Sequence, residues 1–279
     1  MSQYPIILSN YNTDQTSSNN ELRLRFNQSM SFKNKEVALG QLLIYYSWRN
    51  MTSTFGNLSS FGYIWGTNTY LFSFLPGYYS IGDISGYIQQ RMKANGHYLV
   101  DNNGDDVFYL SIQENAIYYA ATLTVTPLPS VLPSGWTNPA SVVLSGRSPQ
   151  LLIATQASGN LIGFNTGTFP PSAATAITYV NSTFTPQIHP VSTVNVNCDL
   201  VNNFITNIYP QVIYSFNADV AYGSQLIINP NNPYFFKALD RDYTEIRIYL
   251  TDQQNRPLEV LDREITAVLL LREPTKANI

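Results

Sequence analysis

In the stretch Glu245-Ile246-Arg247-Ile248-Tyr249-Leu250 apolar and polar residues alternate one by one. Only an extended chain, whose side chains point to opposite faces in turn, puts Ile246, Ile248 and Leu250 on one side and Glu245, Arg247 and Tyr249 on the other. A polar run from Thr251 to Pro257 follows, closed by a proline that cannot extend a ladder. Glu264 to Leu271 then returns as a second strand. Its inner set is Ile265, Ala267, Leu269 and Leu271, yet Val268 and Leu270 make the other face apolar too. A strand apolar on both faces has to be covered on both. Its own domain covers one face. The expectation for the other is a neighbouring subunit, with Val268 and Leu270 as the candidate interface residues.

Composition points the same way. The 279 residues suffice for one large all-β domain, or one domain with an elaborate insertion. Charged residues are 12% and aromatics 13% of the chain, too few Glu and Lys for long salt-bridged helices. The net charge of −3 argues against nucleic acid, which needs clustered Lys and Arg to neutralise phosphates. A single cysteine, Cys198, excludes an internal disulfide and a cysteine-based zinc site. The opening residues lack the charged and apolar regions of a signal peptide, and there is no apolar run of about 20 residues to span a membrane. The expectation is a soluble protein made inside the cell and not secreted. The Asn-X-Ser/Thr matches at Asn27, Asn50, Asn57 and Asn181 then carry no weight.

Residues 1–20 read as an N-terminal arm followed by a loop. Leu22, Leu24 and Phe26 alternate with polar residues as a strand, and Glu36 to Trp48 is a longer, largely apolar one. Phe61 to Trp65 and Thr69 to Phe74 predict a hairpin turning at Gly66-Thr67-Asn68. One helix is expected: Ser80 caps it, Asp83 sits in its first turn, and Ile81, Ile84, Tyr87, Ile88 and Met92 form its apolar stripe before Asn95-Gly96. Strands resume over Val107 to Ile112 and Ile117 to Val125. From Thr126 to Pro190 eight further prolines precede the last, and Arg147 is the only charge apart from a proton on His189. The short apolar runs Val142 to Leu144, Leu151 to Ala154 and Leu161 to Phe164 survive there, so this stretch reads as strands joined by long ordered loops. Alternation returns at Val194, Val196, Cys198 and Leu200. Many short strands with polar turns and one helix mean an all-β sandwich or barrel.

No pattern of residues carries chemistry. His97 and His189 are far apart in sequence and neither neighbours a serine and carboxylate. Asp101-Asn102-Asn103-Gly104-Asp105-Asp106 spaces its oxygens like a calcium loop but has no glycine at the sixth place, and Ile112 stands where a bidentate glutamate belongs. It reads as a solvated Asn-Gly turn. Cys198 reads as a small buried hydrophobe. No catalytic residue, metal or cofactor is assigned. The aromatic groups Tyr45-Tyr46-Ser47-Trp48, Phe61 to Trp65 and Tyr78-Tyr79 suit core packing, a subunit contact or, as an alternative, sugar stacking in a receptor- or carbohydrate-binding module.

Tyr70-Leu71-Phe72-Ser73-Phe74-Leu75-Pro76-Gly77-Tyr78-Tyr79-Ser80-Ile81 with its helix resembles the strand, Pro-Gly-x-Tyr, helix segment of Polinton/Maverick and virophage-type minor capsid (penton) proteins. So do Leu161-Ile162-Gly163-Phe164 with Gly167 to Pro170, the block Val194 to Leu200 containing Asn197-Cys198, and the closing Thr251-Asp252-Gln253 with Glu264-Ile265-Thr266, which look like that family's final hairpin. The resemblance runs from about Glu36 to Arg272. It implies a single jelly-roll β-sandwich occupying 1–279, with 126–190 as a candidate insertion. It also implies a non-enzymatic virion protein that associates as a homopentamer at capsid vertices beside a major capsid protein.

Overall fold

Strands dominate because alternating and β-branched segments are cut short by polar turns before any can reach helical length. The computed structural model describes residues 3–14, 19–202 and 211–274. In chain order the elements are β1 (Gln3–Ser9), β2 (Glu21–Ser31), β3 (Glu36–Tyr45), β4 (Ser59–Trp65), β5 (Asn68–Ser73), α1 (Ile81–Ala94), β6 (Leu99–Val100), β7 (Asp106–Val107), β8 (Leu110–Asn115) and β9 (Ala120–Val125). They continue with β10 (Gln150–Ile153), α2 (Gln156–Ile162), β11 (Gly167–Phe169), β12 (Thr178–Asn181), β13 (Val194–Cys198), β14 (Val212–Phe216), β15 (Gln225–Ile228), β16 (Phe236–Lys237), β17 (Asp242–Asp252) and β18 (Thr266–Arg272). Neither helix is long and apolar enough to cross a membrane. The elements group into two compact units, one of residues 1–49 with 191–279 and one of residues 50–190.

The first unit holds two antiparallel sheets, ordered β1-β18-β3-β15 and β2-β17-β13-β14, with β16 also pairing with β3. Lettered B to I in chain order, these eight strands read B-I-D-G and C-H-E-F. Successive strands interleave between two sheets in this way in a jelly roll. Ile246, Ile248 and Leu250 of β17 are buried, as their alternation predicts, and so are Ala267, Leu269 and Leu271 of β18. Leu8, Val37, Leu39, Ile44, Val194, Val196 and Cys198 are among the buried residues of the neighbouring strands.

Two expectations are corrected here. Residues 3–9 are not an arm: β1 pairs along its whole length with β18, from Gln3 opposite Arg272 to Ser9 opposite Thr266. Pro5, inside the short run Tyr4 to Leu8, obscured a strand that lies at the sheet's edge, where a proline costs no ladder bond. Residues 1–2 and 15–18 of that segment lie outside the described residues. Likewise β17 and β18 do not form a hairpin. β17 pairs with β13 and β2, while β18 pairs with β1 and β3, so the connection between them crosses from one sheet to the other. That connection is held by the buried Asp252 carboxylate, which accepts the backbone N–H groups of Gln254 (2.8 Å) and Arg256 (2.9 Å) and pairs with the Arg256 guanidinium at 2.7 Å. A loop this long is under no requirement to return to its own partner.

The second unit joins β3 to β13 in sequence and has sheets ordered β11-β10-β4-β5 and β12-β9-β8. The expected hairpin is present, with Trp65 opposite Asn68. Helix α1 starts where expected: the Ser80 hydroxyl accepts the Asp83 N–H (3.1 Å) and the Asp83 carboxylate accepts the Ser80 N–H (2.9 Å), a reciprocal capping box. Its stripe, Ile81, Ile84, Ile88 and Met92, is buried against Phe61, Tyr63, Leu110, Ile112, Leu123 and Leu151.

The Pro-rich stretch shares these sheets, since β10 pairs with β4 and β12 pairs with β9. Within it, Leu161-Ile162 belongs to a second, two-turn helix and not to a strand. Thr155 caps α2, and Gly163 ends it in the left-handed conformation at φ 77°, open at low cost only to glycine. The run Val142 to Leu144 makes no strand either; Val142 and Leu144 pack on the buried trio Leu99, Tyr109 and Leu128.

Candidate functional site

Because β18 is an interior strand, both of its faces are set by its neighbours. Val268 stands opposite Ile7 of β1 and Gln41 of β3, and Leu270 opposite Pro5 and Ala38. One strand further, Thr266 faces Leu43, which in turn faces Ile227 of β15. Residues directly opposite in adjacent strands share a face. The face turned away from the core therefore carries Ile7, Val268, Leu270, Leu43 and Ile227 across four strands. Val268, Leu270 and Leu43 are half-buried, whereas Ile7 and Ile227 are 53% and 55% exposed.

A bulge in β3 between the partners of Val268 and Leu269 places Gly40 under Leu270. A Cβ at Gly40 would stand 2.8 Å from Leu270 Cγ. At the rim of this face Gln41 Nε2 donates to Asn229 Oδ1 at 3.0 Å. At one end the Arg272–Glu36 pair (2.7 Å) and the Lys35–Glu273 pair (3.0 Å) mark the edge of the apolar stripe. The arrangement offers an apolar stripe on the outer face of the sheet.

In the second unit the structure gathers residues that sequence spacing left scattered. Tyr63 and Trp65 on β4, Tyr70 on β5 and His97 after α1 form one aromatic group. Trp65 stacks on His97 at 4.7 Å and 13°, while Tyr70 meets it edge-on at 4.6 Å. The Tyr63 hydroxyl accepts the Asn95 amide N–H (2.7 Å) and lies 2.9 Å from His97 Nδ1. The Tyr63 oxygen thus bridges the Asn95 amide and one ring nitrogen of His97, leaving Nε2 as the nitrogen outside this bond. Burial holds the His97 pKa below its ordinary value and pushes the Tyr63 phenol up to about 12.

Beside this group lies a cavity of about 690 Å³, lined by Trp65, Tyr70, His97 and the loop around Arg147 and Ser148, among others. Neither His97 nor Arg147 was singled out from sequence as a binding residue. The usable signals were Tyr63 and Trp65 alternating on one strand and a lone cation in an uncharged stretch.

Other sequence candidates resolve simply. Cys198 is fully buried, and burial pushes its thiol up to about 12, far from a reactive thiolate. The Asp101 carboxylate accepts the backbone N–H groups of Asn103 (2.8 Å) and Asp105 (3.0 Å), closing its own turn. Asp106, at that turn's end, pairs with Lys93. His189 is exposed, with Nδ1 3.4 Å from the Tyr78 hydroxyl. Asn197 of β13 is buried and donates to Thr251 Oγ1 at 3.0 Å, tying β13 to β17.

No protein-family model and no curated protein matches the chain. Among solved structures it is similar to the mavirus penton protein, at 10% sequence identity and a TM-score of 0.48, over 98% of this chain and 99% of that one. It is also similar to a chain of the Sputnik virophage, at 11% identity and a TM-score of 0.41, over 98% of this chain and 97% of that one.

Proposed function

We propose that this chain is a non-enzymatic structural protein of a virion, a minor capsid (penton) protein that works by associating with copies of itself and with a neighbouring major capsid protein. The observation that carries this reading is the outer sheet face of the jelly roll. Ile7, Val268, Leu270, Leu43 and Ile227 form an apolar stripe across four paired strands, and a surface of that kind on a sheet is a docking surface. Covering it against another subunit removes apolar area from water, and a stable contact buries on the order of 1,000 Å² or more. The low charge fits, since repulsion around a closed ring grows with the charge carried by each subunit. The expected assembly is a homopentamer, closed through a heterologous contact between unlike patches.

Light scattering across a concentration series tests the reading. The wild-type chain is expected at a discrete mass, five subunits for a vertex protein. Leu270→Asp and Ile227→Asp are expected to lower the mass while circular dichroism still reports a β fold. The second variant matters because Ile227 is exposed and its replacement leaves the core intact. A monomer at every concentration, or an oligomer indifferent to both changes, sinks the reading.

A further inference from the structure

The inserted unit carries a feature that an assembly surface does not explain. The cavity beside His97 measures about 690 Å³, inside the roughly 300–1,000 Å³ range of small-molecule sites. Its lining combines three chemistries. Trp65 and Tyr70 contribute aromatic surface, and hydroxyls come from Thr67, Ser145 and Ser172. Arg147 contributes the one full charge, and no aspartate or glutamate lines the cavity.

Both charged and polar anchors are held in place before any ligand arrives. The Arg147 carbonyl accepts the Leu128 N–H at 3.1 Å. Next to it Ser148 exchanges two bonds with Ala174, its N–H donating to the Ala174 carbonyl and its hydroxyl accepting the Ala174 N–H, both at 2.9 Å. The guanidinium donates from Nη1 to the Ala173 carbonyl at 3.3 Å and makes no ion pair among the described residues. Most of its donors are thus unspent, in a fork that matches a carboxylate. His97 also lines the cavity, is only 8% exposed, and has its Nδ1 engaged by Tyr63, so Nε2 is the ring nitrogen left for a ligand.

We propose that this cavity binds a carboxylated sugar, with Arg147 gripping the carboxylate, His97 Nε2 hydrogen-bonding a ring substituent, and Trp65 and Tyr70 facing the sugar's C–H surface. A single cation among neutral hydroxyls suits a monoanion and not a doubly charged phosphate, which calls for more positive charge. Hydroxyl side chains both donate and accept, as sugar hydroxyls do. This goes beyond the capsid reading and does not depend on it, because binding is read on the chain whatever its oligomeric state.

Saturation-transfer NMR and calorimetry on the full chain, with N-acetylneuraminic acid and glucuronic acid as probes and galactose, N-acetylglucosamine and acetate as controls, test it. At least one acidic sugar is expected to bind saturably and more tightly than every control. Arg147→Ala is expected to weaken that binding by about tenfold or more, the value of hydrogen bonds to a charged group. Arg147→Lys should restore only part of it, since a lysine cannot grip bidentately. Arg147 is exposed, so both variants should melt with the wild type. Absence of saturable binding by either acid overturns the proposal. So does equal binding of the neutral sugars or acetate, or wild-type affinity in Arg147→Ala.

Discussion

The Leu270 side chain lies directly over Gly40 of the neighbouring strand, so close that a Cβ there would stand 2.8 Å from Leu270 Cγ and 3.1 Å from Cδ1. Glycine at the β3 bulge is therefore a packing requirement of β18, and the half-burial of Leu270 is supplied within its own sheet. Gly40→Ala should destabilise the jelly roll by about 1–3 kcal/mol, the usual cost of overpacking. Combining it with Leu270→Ala should cost less than the sum of the single changes, with a coupling of about 0.5–3 kcal/mol. Urea unfolding of the four proteins gives the cycle; strict additivity would refute the contact.

The two faces of the β1-β18-β3-β15 sheet should respond differently to truncation. Leu269 is fully buried, so Leu269→Ala should cost about 2–5 kcal/mol. Ile7→Ser and Ile227→Ser change exposed positions and should stay within about 0.5 kcal/mol of wild type for each subunit. Denaturant titration at a concentration where the protein is monomeric separates these effects from assembly.

Ser80→Ala removes one half of the α1 capping box and should cost about 1 kcal/mol. The Asp83 carboxyl is held below its ordinary value of 3.8, first by the Ser80 hydroxyl and then by its backbone N–H. A depressed carboxyl contributes stability above its unfolded value that is lost as pH falls through the folded one. The gap between wild type and Asp83→Asn should therefore close on acidification below about pH 4. Thermal melts at pH 7 and pH 3 check both statements.

His97 acts at a different pH with the same sign. Burial lowers its pKa from the ordinary 6.5, so the unfolded chain takes up a proton that the folded chain resists. Stability is then full above pH 6.5 and falls as pH drops from there through the folded value. His97→Phe keeps a ring against Trp65 and Tyr70 but cannot titrate. Its unfolding free energy, measured from pH 7.5 to 5, should depend less on pH than that of wild type; equal slopes would show that His97 is solvated in the native state.

Much of the local structure is readable in the chain because it rests on local rules. Period-two alternation assigned the inner faces of β17 and β18, and β13 follows from Val194, Val196 and Cys198 in the same way. The Ser80–Asp83 spacing and the Ile81-to-Met92 stripe located α1, because a cap and a helical face involve residues within a few turns of each other. The short α2 was hidden by its length. Two turns leave too few apolar positions to distinguish a helix from a buried strand, and its decisive marks are the Thr155 cap and the left-handed Gly163.

What the sequence determined by itself was the all-β class, the faces of the long strands, the one amphipathic helix and the candidate stripe of Val268 and Leu270. Partnership between strands was decided only in three dimensions. Alternation says which side of a strand is apolar, but the same pattern serves any neighbour, so nothing in β17 or β18 announces that they lie in different sheets or that Gln3–Ser9 is the strand closing one edge. The inserted unit was settled likewise by pairing: its Pro-rich half is joined to β4 and β9 by backbone bonds that carry no side-chain signature. The approach of Trp65, Tyr70, His97 and Arg147 to one cavity has the same origin, since their meeting depends on how a hairpin, the end of a helix and a loop are packed together and not on any spacing along the chain.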